Sequence, residues 1–289
     1  MSTNSKGRVM WEMAQSVCKA IYESDFGKYL WMISPQDLDH GQSIRRLDDG
    51  LRFLYKEDEE MSGSAASRPG TVMSEAWGRY FFNFLRKQLL MMEKPILVQG
   101  EIRSISENEI RLELSLQSDE VYAPLKLSVV RLTDKKIAAV PTELSLTTMN
   151  NMSLPILGVS PEAIACEHVV HILRDLELIG EMEPYLYLYE LLGRASIGGK
   201  ELSFKLEEDL KRENIYPAKE NMDLFHTYGS SSYMKKRWKT LLRRQKLTSP
   251  SWEETYTLIC NFIDPVMESL QNELIYFGDW MANLGRYLD

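Results

Sequence analysis

The sequence has little of what most directly identifies a protein's chemistry. Its three cysteines, Cys18, Cys166 and Cys260, lie far apart and are flanked by apolar residues at helical spacing. This arrangement excludes a disulfide framework or a zinc ribbon and indicates buried free thiols in a reducing compartment. No stretch approaches the ~18 uninterrupted apolar residues of a membrane span, so we expect no membrane association.

Several well-known catalytic motifs are also missing. The sequence contains no Gly-x-x-x-x-Gly-Lys-Ser/Thr loop, no Gly-x-Gly-x-x-Gly and no Gly-x-Ser-x-Gly. P-loop, Rossmann and serine-hydrolase interpretations therefore have no support. The amino terminus, MSTNSKGRV, lacks a basic region followed by an apolar run, so we predict no secretory signal and expect a cytoplasmic protein.

An overall excess of positive charge is absent as well, because the 289 residues carry a formal net charge of −8. The exception is segment 234–246 (MKKRWKTLLRRQK), which has seven basic residues and no acid. On a helix, Met234, Trp238, Leu241 and Leu242 form a buried stripe, so the basic residues lie on the solvent-exposed side. That side is either a solvated face balancing acidic neighbours or a site for nucleic-acid phosphates or an acidic protein partner. The residues concerned are Lys235, Lys236, Lys239, Arg243 and Lys246.

The spacing of apolar residues changes along the chain. The apolar run Tyr29–Ile33 predicts a first central strand, and Val72–Met92 predicts a core helix with a stripe of aromatic side chains. From Ile96 to about Leu157 apolar residues alternate with polar ones, as in IRLELSL, which predicts the remaining strands of a sheet. From Ser160 onward the spacing is helical, and Ser160 is placed to cap the first of these helices.

Two runs in the second half have a characteristic order of helices. Ser160–Leu192 (SPEAIACEHVVHILRDLELIGEMEPYLYLYELL) is followed by Ser232–Leu270, where a Trp-Lys-Leu-Leu helix leads into a Trp-Glu-Glu helix that begins with a capping-box pattern. This order resembles the carboxy-terminal half of the AbiEii/AbiGii-type nucleotidyltransferase toxins of abortive-infection and toxin–antitoxin loci. Their first helix reads roughly S-x-E-x-I-x-A-E-K-L and their second R-D-L-Y-D-L-x-x-L-L. The resemblance implies an α/β fold, with a nucleotidyltransferase-like mixed sheet and helices followed by a helical carboxy-terminal half.

The family's catalytic motifs match this sequence poorly. Family members place a glycine turn under the triphosphate and bind metal ions through R-x-S-x-D-x-D-F. By spacing, the glycine turn falls on residues 34–36 (Ser-Pro-Gln) and the second motif on residues 46–53 (RLDDGLRF). Gly50 and Arg52 then replace the two metal-binding aspartates, and the fixed charge of an arginine opposes cation binding.

The same departure recurs in the second half. The family lysine of A-E-K falls on His168, and the two aspartates of R-D-L-Y-D-L fall on Pro184 and Tyr187. The resemblance therefore implies a pseudoenzyme that needs no cofactor. It would act in phage defence or a toxin–antitoxin system, by binding a protein partner encoded nearby or by binding RNA or DNA through helix 234–246.

The alternative is an active, Mg²⁺-dependent nucleotidyltransferase toxin that uses a nucleoside triphosphate to extend an RNA such as tRNA. Asp37 and Asp39 form a D-x-D just after the first apolar run and would then be the metal and catalytic carboxylates. Two glutamates compete for the third carboxylate position, Glu113 in IRLELSL and Glu143 in VPTELSL. For either glutamate, a strand carboxylate facing solvent is the simpler interpretation.

These patterns together predict a nucleotidyltransferase-like α/β domain over residues 1–158 and a helical domain over residues 159–289. We expect both to pack as one cooperative unit, because the link LPILGVSP (154–161) is short and apolar, unlike a flexible linker.

Limited proteolysis tests this packing. We expect no stable fragment corresponding to residues 159–289, because its helices need the sheet to bury their apolar faces. A soluble carboxy-terminal fragment that unfolds cooperatively on heating would contradict the prediction.

Overall fold

The computed structural model divides the chain into two compact units, Met1–Val159 and Ser160–Asp289. Whether the two units unfold as one stays a prediction. The structure describes residues 3–33, 50–58, 68–106, 108–119, 121–132, 141–147, 153–176, 180–215 and 219–288.

The first unit is a mixed α/β layer. Its described strands form a seven-stranded sheet in the order β3-β4-β5-β2-β1-β7-β6, in which β2 is parallel to β5 and β1 to β7. The fold class predicted from the sequence, a mixed sheet with helices followed by a helical half, is confirmed. The elements are α1 (Thr3–Tyr22), a 3-10 turn (Asp25–Lys28), β1 (Leu30–Met32), β2 (Leu51–Tyr55), α2 (Glu75–Leu90), β3 (Leu97–Ile105), β4 (Glu109–Ser118), β5 (Val121–Arg131), β6 (Pro141–Thr147) and β7 (Ser153–Val159).

Alternation along the strands places one face of this sheet in the core. In β4, Leu112, Leu114 and Leu116 are buried, whereas Arg111 and Glu113 between them are exposed. Successive side chains of a strand point to opposite faces, so the arginine and the glutamate lie on the other, solvated face. The buried face packs with apolar residues of α1 and α2 in one continuous cluster.

Helix α2 carries the predicted aromatic stripe. Its N-cap, Ser74, accepts a hydrogen bond from the Trp77 backbone amide. The ring of Phe26 lies with its centroid 4.9 Å from that of Phe81 and 4.7 Å from that of Phe84. Tyr80, another aromatic residue of α2, is 40% exposed at the margin of this cluster.

The second unit is built mainly of helices. The predicted cap at Ser160 and the predicted capping box of Ser251 with Glu254 are both formed. Among the described helices, none has the length and apolar character needed to cross a bilayer. The elements are α3 (Pro161–Arg174), α4 (Glu183–Leu192), α5 (Gly199–Arg212), α6 (Lys219–His226), α7 (Ser232–Arg244), α8 (Trp252–Gln271), β8 (Asp279–Met281) and β9 (Arg286–Leu288).

The second unit also contains a short hairpin of β8 and β9, which the sequence patterns did not predict. Trp280 in β8 is fully buried, and its backbone exchanges hydrogen bonds with Ile197. The indole Nε1 also donates to the carbonyl oxygen of Leu192 at 2.9 Å. This tertiary anchoring, and not local propensity, holds the short strands in place.

Helix α7 has the buried stripe that its sequence predicts, formed by Met234, Trp238, Leu241 and Leu242. The Trp238 side chain is only 1% exposed, and its indole Nε1 donates to the carbonyl oxygen of Pro250 at 2.9 Å. Its ring centroid lies 5.7 Å from that of Trp252. Trp238 therefore anchors α7 through both packing and a hydrogen bond.

Replacing Trp238 with alanine should reduce the free energy of unfolding by roughly 3–5 kcal/mol, because the change opens a large cavity. Denaturant unfolding of the whole chain measures this loss. The matched control is Tyr233→Ala on the same helix, where the side chain is 56% exposed and the loss should stay below about 1 kcal/mol. Equal losses for the two variants would contradict the anchoring role.

Candidate functional site

The solvated face of the sheet carries the positions at which the family resemblance places metal binding. Parallel pairing sets Arg52 of β2 opposite Ser128 of β5, and antiparallel pairing sets Ser128 opposite Arg111 of β4. Both arginines are exposed and the serine is partly buried. Since directly paired residues point to the same face, the three side chains form one row across three strands, which we call the arginine row.

The next row on this face contains Glu113, one candidate for the third carboxylate. Glu113 pairs with Lys126 on one side and Glu101 on the other. Its Oε2 accepts a hydrogen bond from Arg103 Nε at 2.8 Å, and Arg103 also bonds Glu101 at 2.8 Å. The charge of Glu113 is therefore engaged by an arginine.

The other candidate, Glu143, lies on the edge strand β6 and is exposed. Five strand steps separate β6 from β4, which corresponds to about 24 Å at 4.7–4.9 Å per step. The structure therefore does not bring Glu143 and Glu113 together, and at most one of them can serve a given metal site.

Gly50 stands directly before β2, at the position where the resemblance places the first metal-binding aspartate. Its φ angle is +84°, in the region that favours glycine. A Cβ at this position would lie 2.6 Å from the Cβ of Lys126 and even closer to the Lys126 carbonyl oxygen. The close approach of β5 leaves no room for an aspartate side chain on this backbone.

Positions 50 and 52, at which the resemblance places the metal-binding aspartates, do not fit a Mg²⁺–triphosphate site. They hold a glycine with no space for a side chain and an arginine of the same charge sign as the metal. Asp37, Asp39 and the glycine-turn positions 34–36 lie outside the described residues. Their roles stay predictions.

Two side chains of the second unit, at positions where the resemblance places a lysine and an aspartate, lie in contact. The rings of His168 in α3 and Tyr187 in α4 have centroids 5.8 Å apart, and both side chains are partly buried. Pro184, at a third such position, is buried in the first turn of α4. Where the family pattern has a lysine and an aspartate, this chain therefore packs a histidine ring against a tyrosine ring.

The seven basic residues of segment 234–246 divide into three with partners and four without an ion pair in the described part of the chain. Two of the three are Arg237, which donates to the Gly180 carbonyl oxygen, and Arg244, which pairs with Glu183. Lys235 Nζ lies 2.6 Å from Glu253 Oε1, and this hydrogen bond lowers the pKa of Glu253. Four others are exposed and form no ion pair with another described residue. Their spacing of three, four and three residues aligns them along one side of α7 and just beyond its end. We call them the basic stripe: Lys236, Lys239, Arg243 and Lys246.

One group of potential metal ligands in the second unit is not apparent from the sequence. His226 at the end of α6 lies close to Cys260 and Asp264 of α8. Burial raises the pKa of the Cys260 thiol to about 11. Cys260 is partly exposed, unlike the buried Cys18 and Cys166, which corrects the expectation of three buried thiols. The spacing of Cys260 and Asp264 is visible in the sequence, but the histidine comes from another helix.

Comparison with known proteins identifies similar solved structures. JHP933 from Helicobacter pylori superimposes with a TM-score of 0.52 at 10% identity, covering 94% of this chain and 96% of JHP933. MenT4, a nucleotidyltransferase toxin from Mycobacterium tuberculosis, gives a TM-score of 0.43 at 14% identity, covering 86% of this chain and 81% of MenT4. No protein-family model matches the sequence, and no curated protein matches it. The superposition on JHP933 shows a shared fold.

Proposed function

We propose that this chain is a catalytically inactive protein of the nucleotidyltransferase fold that serves a bacterial phage-defence or toxin–antitoxin system by binding. The resemblance of its second half to AbiEii-type toxins supports the family assignment. The free thiols support a reducing, cytoplasmic setting. The basic stripe is the proposed contact surface, either for nucleic-acid phosphates or for an acidic protein encoded nearby.

The observation that carries the inactive assignment is the arginine row together with Gly50. Nucleotidyl transfer requires carboxylates that hold divalent cations against the triphosphate. Arg52 presents a guanidinium group on the face where those cations would bind, and Arg111 in the same row is paired with Glu109 at 2.8 Å, which engages that carboxylate. The Gly50 backbone leaves no room for a carboxylate beside them. Charge and space therefore both act against a metal at these positions.

The basic stripe supports binding because its members form no ion pair within the described part of the chain, although Lys239 also acts on the nearby Glu253. Lys236 and Arg243 are seven residues apart on α7, so their charges span roughly 10 Å along the helix axis, with Lys246 just past its end. Exposed cations attract phosphates and release counterions when they bind them. A solvated face with balanced ion pairs would have no such surplus.

The variant Asp37→Ala/Asp39→Ala should keep the biological activity of the wild-type chain, measured as growth inhibition or phage restriction in cells that express it. The stability of the purified wild type should also not rise with Mg²⁺ plus nucleoside triphosphate, because a ligand raises stability only when the folded state binds it. Arg52→Lys is the control, because it keeps the charge on the sheet face.

A folded double variant without activity would contradict the proposal. It would favour the active, Mg²⁺-dependent nucleotidyltransferase that modifies RNA such as tRNA. Stabilisation of the wild type by a nucleoside triphosphate that requires Mg²⁺ would also contradict the proposal and favour the active enzyme.

Reversing three charges of the basic stripe, Lys236→Glu/Lys239→Glu/Arg243→Glu, should weaken RNA binding and reduce its dependence on salt. Each lost phosphate contact lowers the slope of log K against log [salt] by about 0.7 for a single strand, so three contacts lower it by about 2. Fluorescence anisotropy with labelled RNA at several salt concentrations measures both quantities.

The control for this experiment is Lys87→Glu/Lys94→Glu/Lys200→Glu, which changes net charge equally at exposed positions elsewhere. Stability should change little in either variant, because exposed charges contribute only a few tenths of a kcal/mol each. Equal loss of affinity in both variants would show a general charge effect and would contradict the stripe as a site. Binding of an acidic protein but not of RNA would identify the stripe as a protein interface.

A further inference from the structure

The second unit contains a compact group of three different potential metal ligands. The nearest ligand atoms of His226, Cys260 and Asp264 all lie within 4.8 Å of one another. His226 Nε2 and Asp264 Oδ1 are 3.0 Å apart. Among the described residues, this is the single group of three or more His, Cys, Asp or Glu side chains with such spacing.

The surrounding contacts hold this group together. Cys260 and Asp264 are four residues apart on α8 and therefore share one face of the helix. The end of α6 is fixed to that helix through Phe225, which is fully buried with its ring centroid 5.4 Å from that of Tyr256. The Tyr256 hydroxyl donates to the Phe225 carbonyl oxygen at 3.2 Å, directly beside His226. The Cys260 thiol is in turn hydrogen-bonded with the same hydroxyl.

We propose that His226, Cys260 and Asp264 bind one Zn²⁺ ion, with water as the fourth ligand. Zinc takes imidazole nitrogen, thiolate sulfur and carboxylate oxygen at about 2.0–2.3 Å in a tetrahedron, whose edges are then roughly 3.3–3.7 Å. The 3.0 Å separation of the His226 and Asp264 atoms is already close to such an edge. The widest separation, up to 4.8 Å, requires a closure of about 1 Å, which side-chain rotation provides.

Charge and ligand type favour zinc over the hard cations. A thiolate and a carboxylate together neutralise the two positive charges of the ion. Mg²⁺ and Ca²⁺ prefer oxygen ligands, whereas a site with nitrogen and sulfur suits Zn²⁺ or Co²⁺. The side chains of His226 and Asp264 are 46% and 42% exposed, so an ion can enter and keep a bound water.

Zinc at this position would join the end of α6 to the middle of α8. Because the unfolded chain does not hold the three ligands together, the folded form should bind the ion more tightly and become more stable. The site would add a structural ion to a chain whose sequence leads us to expect no cofactor. It does not depend on the proposed function, since none of its residues belongs to the arginine row or the basic stripe.

Titration of the chelator-treated full chain with Co²⁺ tests the proposal. We expect a thiolate-to-cobalt charge-transfer band that saturates at one equivalent and disappears when Zn²⁺ is added. Cys260→Ser should abolish the band. His226→Gln and Asp264→Asn should each weaken Zn²⁺ binding by at least about 10–100-fold, the loss typical of even indirect changes at metal sites. Zn²⁺ should also raise the melting temperature of the wild type but not that of Cys260→Ser.

The control variant is His171→Gln, which breaks a comparable His–Asp pair, since His171 Nε2 lies 3.2 Å from Asp175 Oδ2 on α3. This pair belongs to no three-ligand group among the described residues, so the variant should bind cobalt like the wild type. Circular dichroism in chelator identifies variants that fail to fold. If Cys260→Ser fails to fold, the Zn²⁺ affinity of His226→Gln tests the proposal instead, because this variant changes an exposed side chain. Absence of the band in the wild type, or unchanged Zn²⁺ affinity in a folded His226→Gln variant, would overturn the proposal.

Discussion

The parallel pairing of β2 with β5 determines which side chains can meet on the open face of the sheet. In this register Leu51 and Phe53 lie opposite Leu127 and Val129, and all four are buried. A shift of one residue would move these apolar side chains into solvent and Arg52 into the core, at a cost that fixes the register. Packing on the buried face therefore dictates the composition of the solvated face, including the arginine row.

On the solvated face of the sheet, the carboxylates of β3 and β4 are paired with arginines. Arg111, next to Ser128, lies 2.8 Å from Glu109, and Arg103 engages both Glu101 and Glu113. Exposed pairs of this kind contribute little to stability. For the proposed function, what matters is that these pairs occupy carboxylates that could otherwise hold a divalent cation.

Local signals in the sequence predicted much of the fold. The alternation in β4 and the caps at Ser160 and Ser251 depend on residues close together in the chain. The local sequence is therefore enough to predict these features. The β8–β9 hairpin is not predictable in this way, because the buried Trp280 pairs with the distant Ile197.

The candidate site was predictable only in part, for the same physical reason. The resemblance identified Arg52 as a substituted position, and helical spacing identified the basic segment. That Lys235 is engaged by Glu253 depends on a neighbouring helix. The meeting of His226 with Cys260 likewise requires two helices to pack together. The spacing of residues along one helix shows which of its side chains share a face. It does not show which side chains of a second helix will pack against that face.

Gly50 also bears on how this scaffold changes over time. Because its backbone has a φ of +84° and Lys126 occupies the space beside it, an aspartate placed there would strain the strand before it could bind an ion. Metal binding at positions 50 and 52 would therefore need the spacing between β2 and β5 to change together with two side chains. Among changes on this face, substitution of Gly50 is limited by the backbone, whereas the exposed side chain of Arg52 can be replaced without moving a strand.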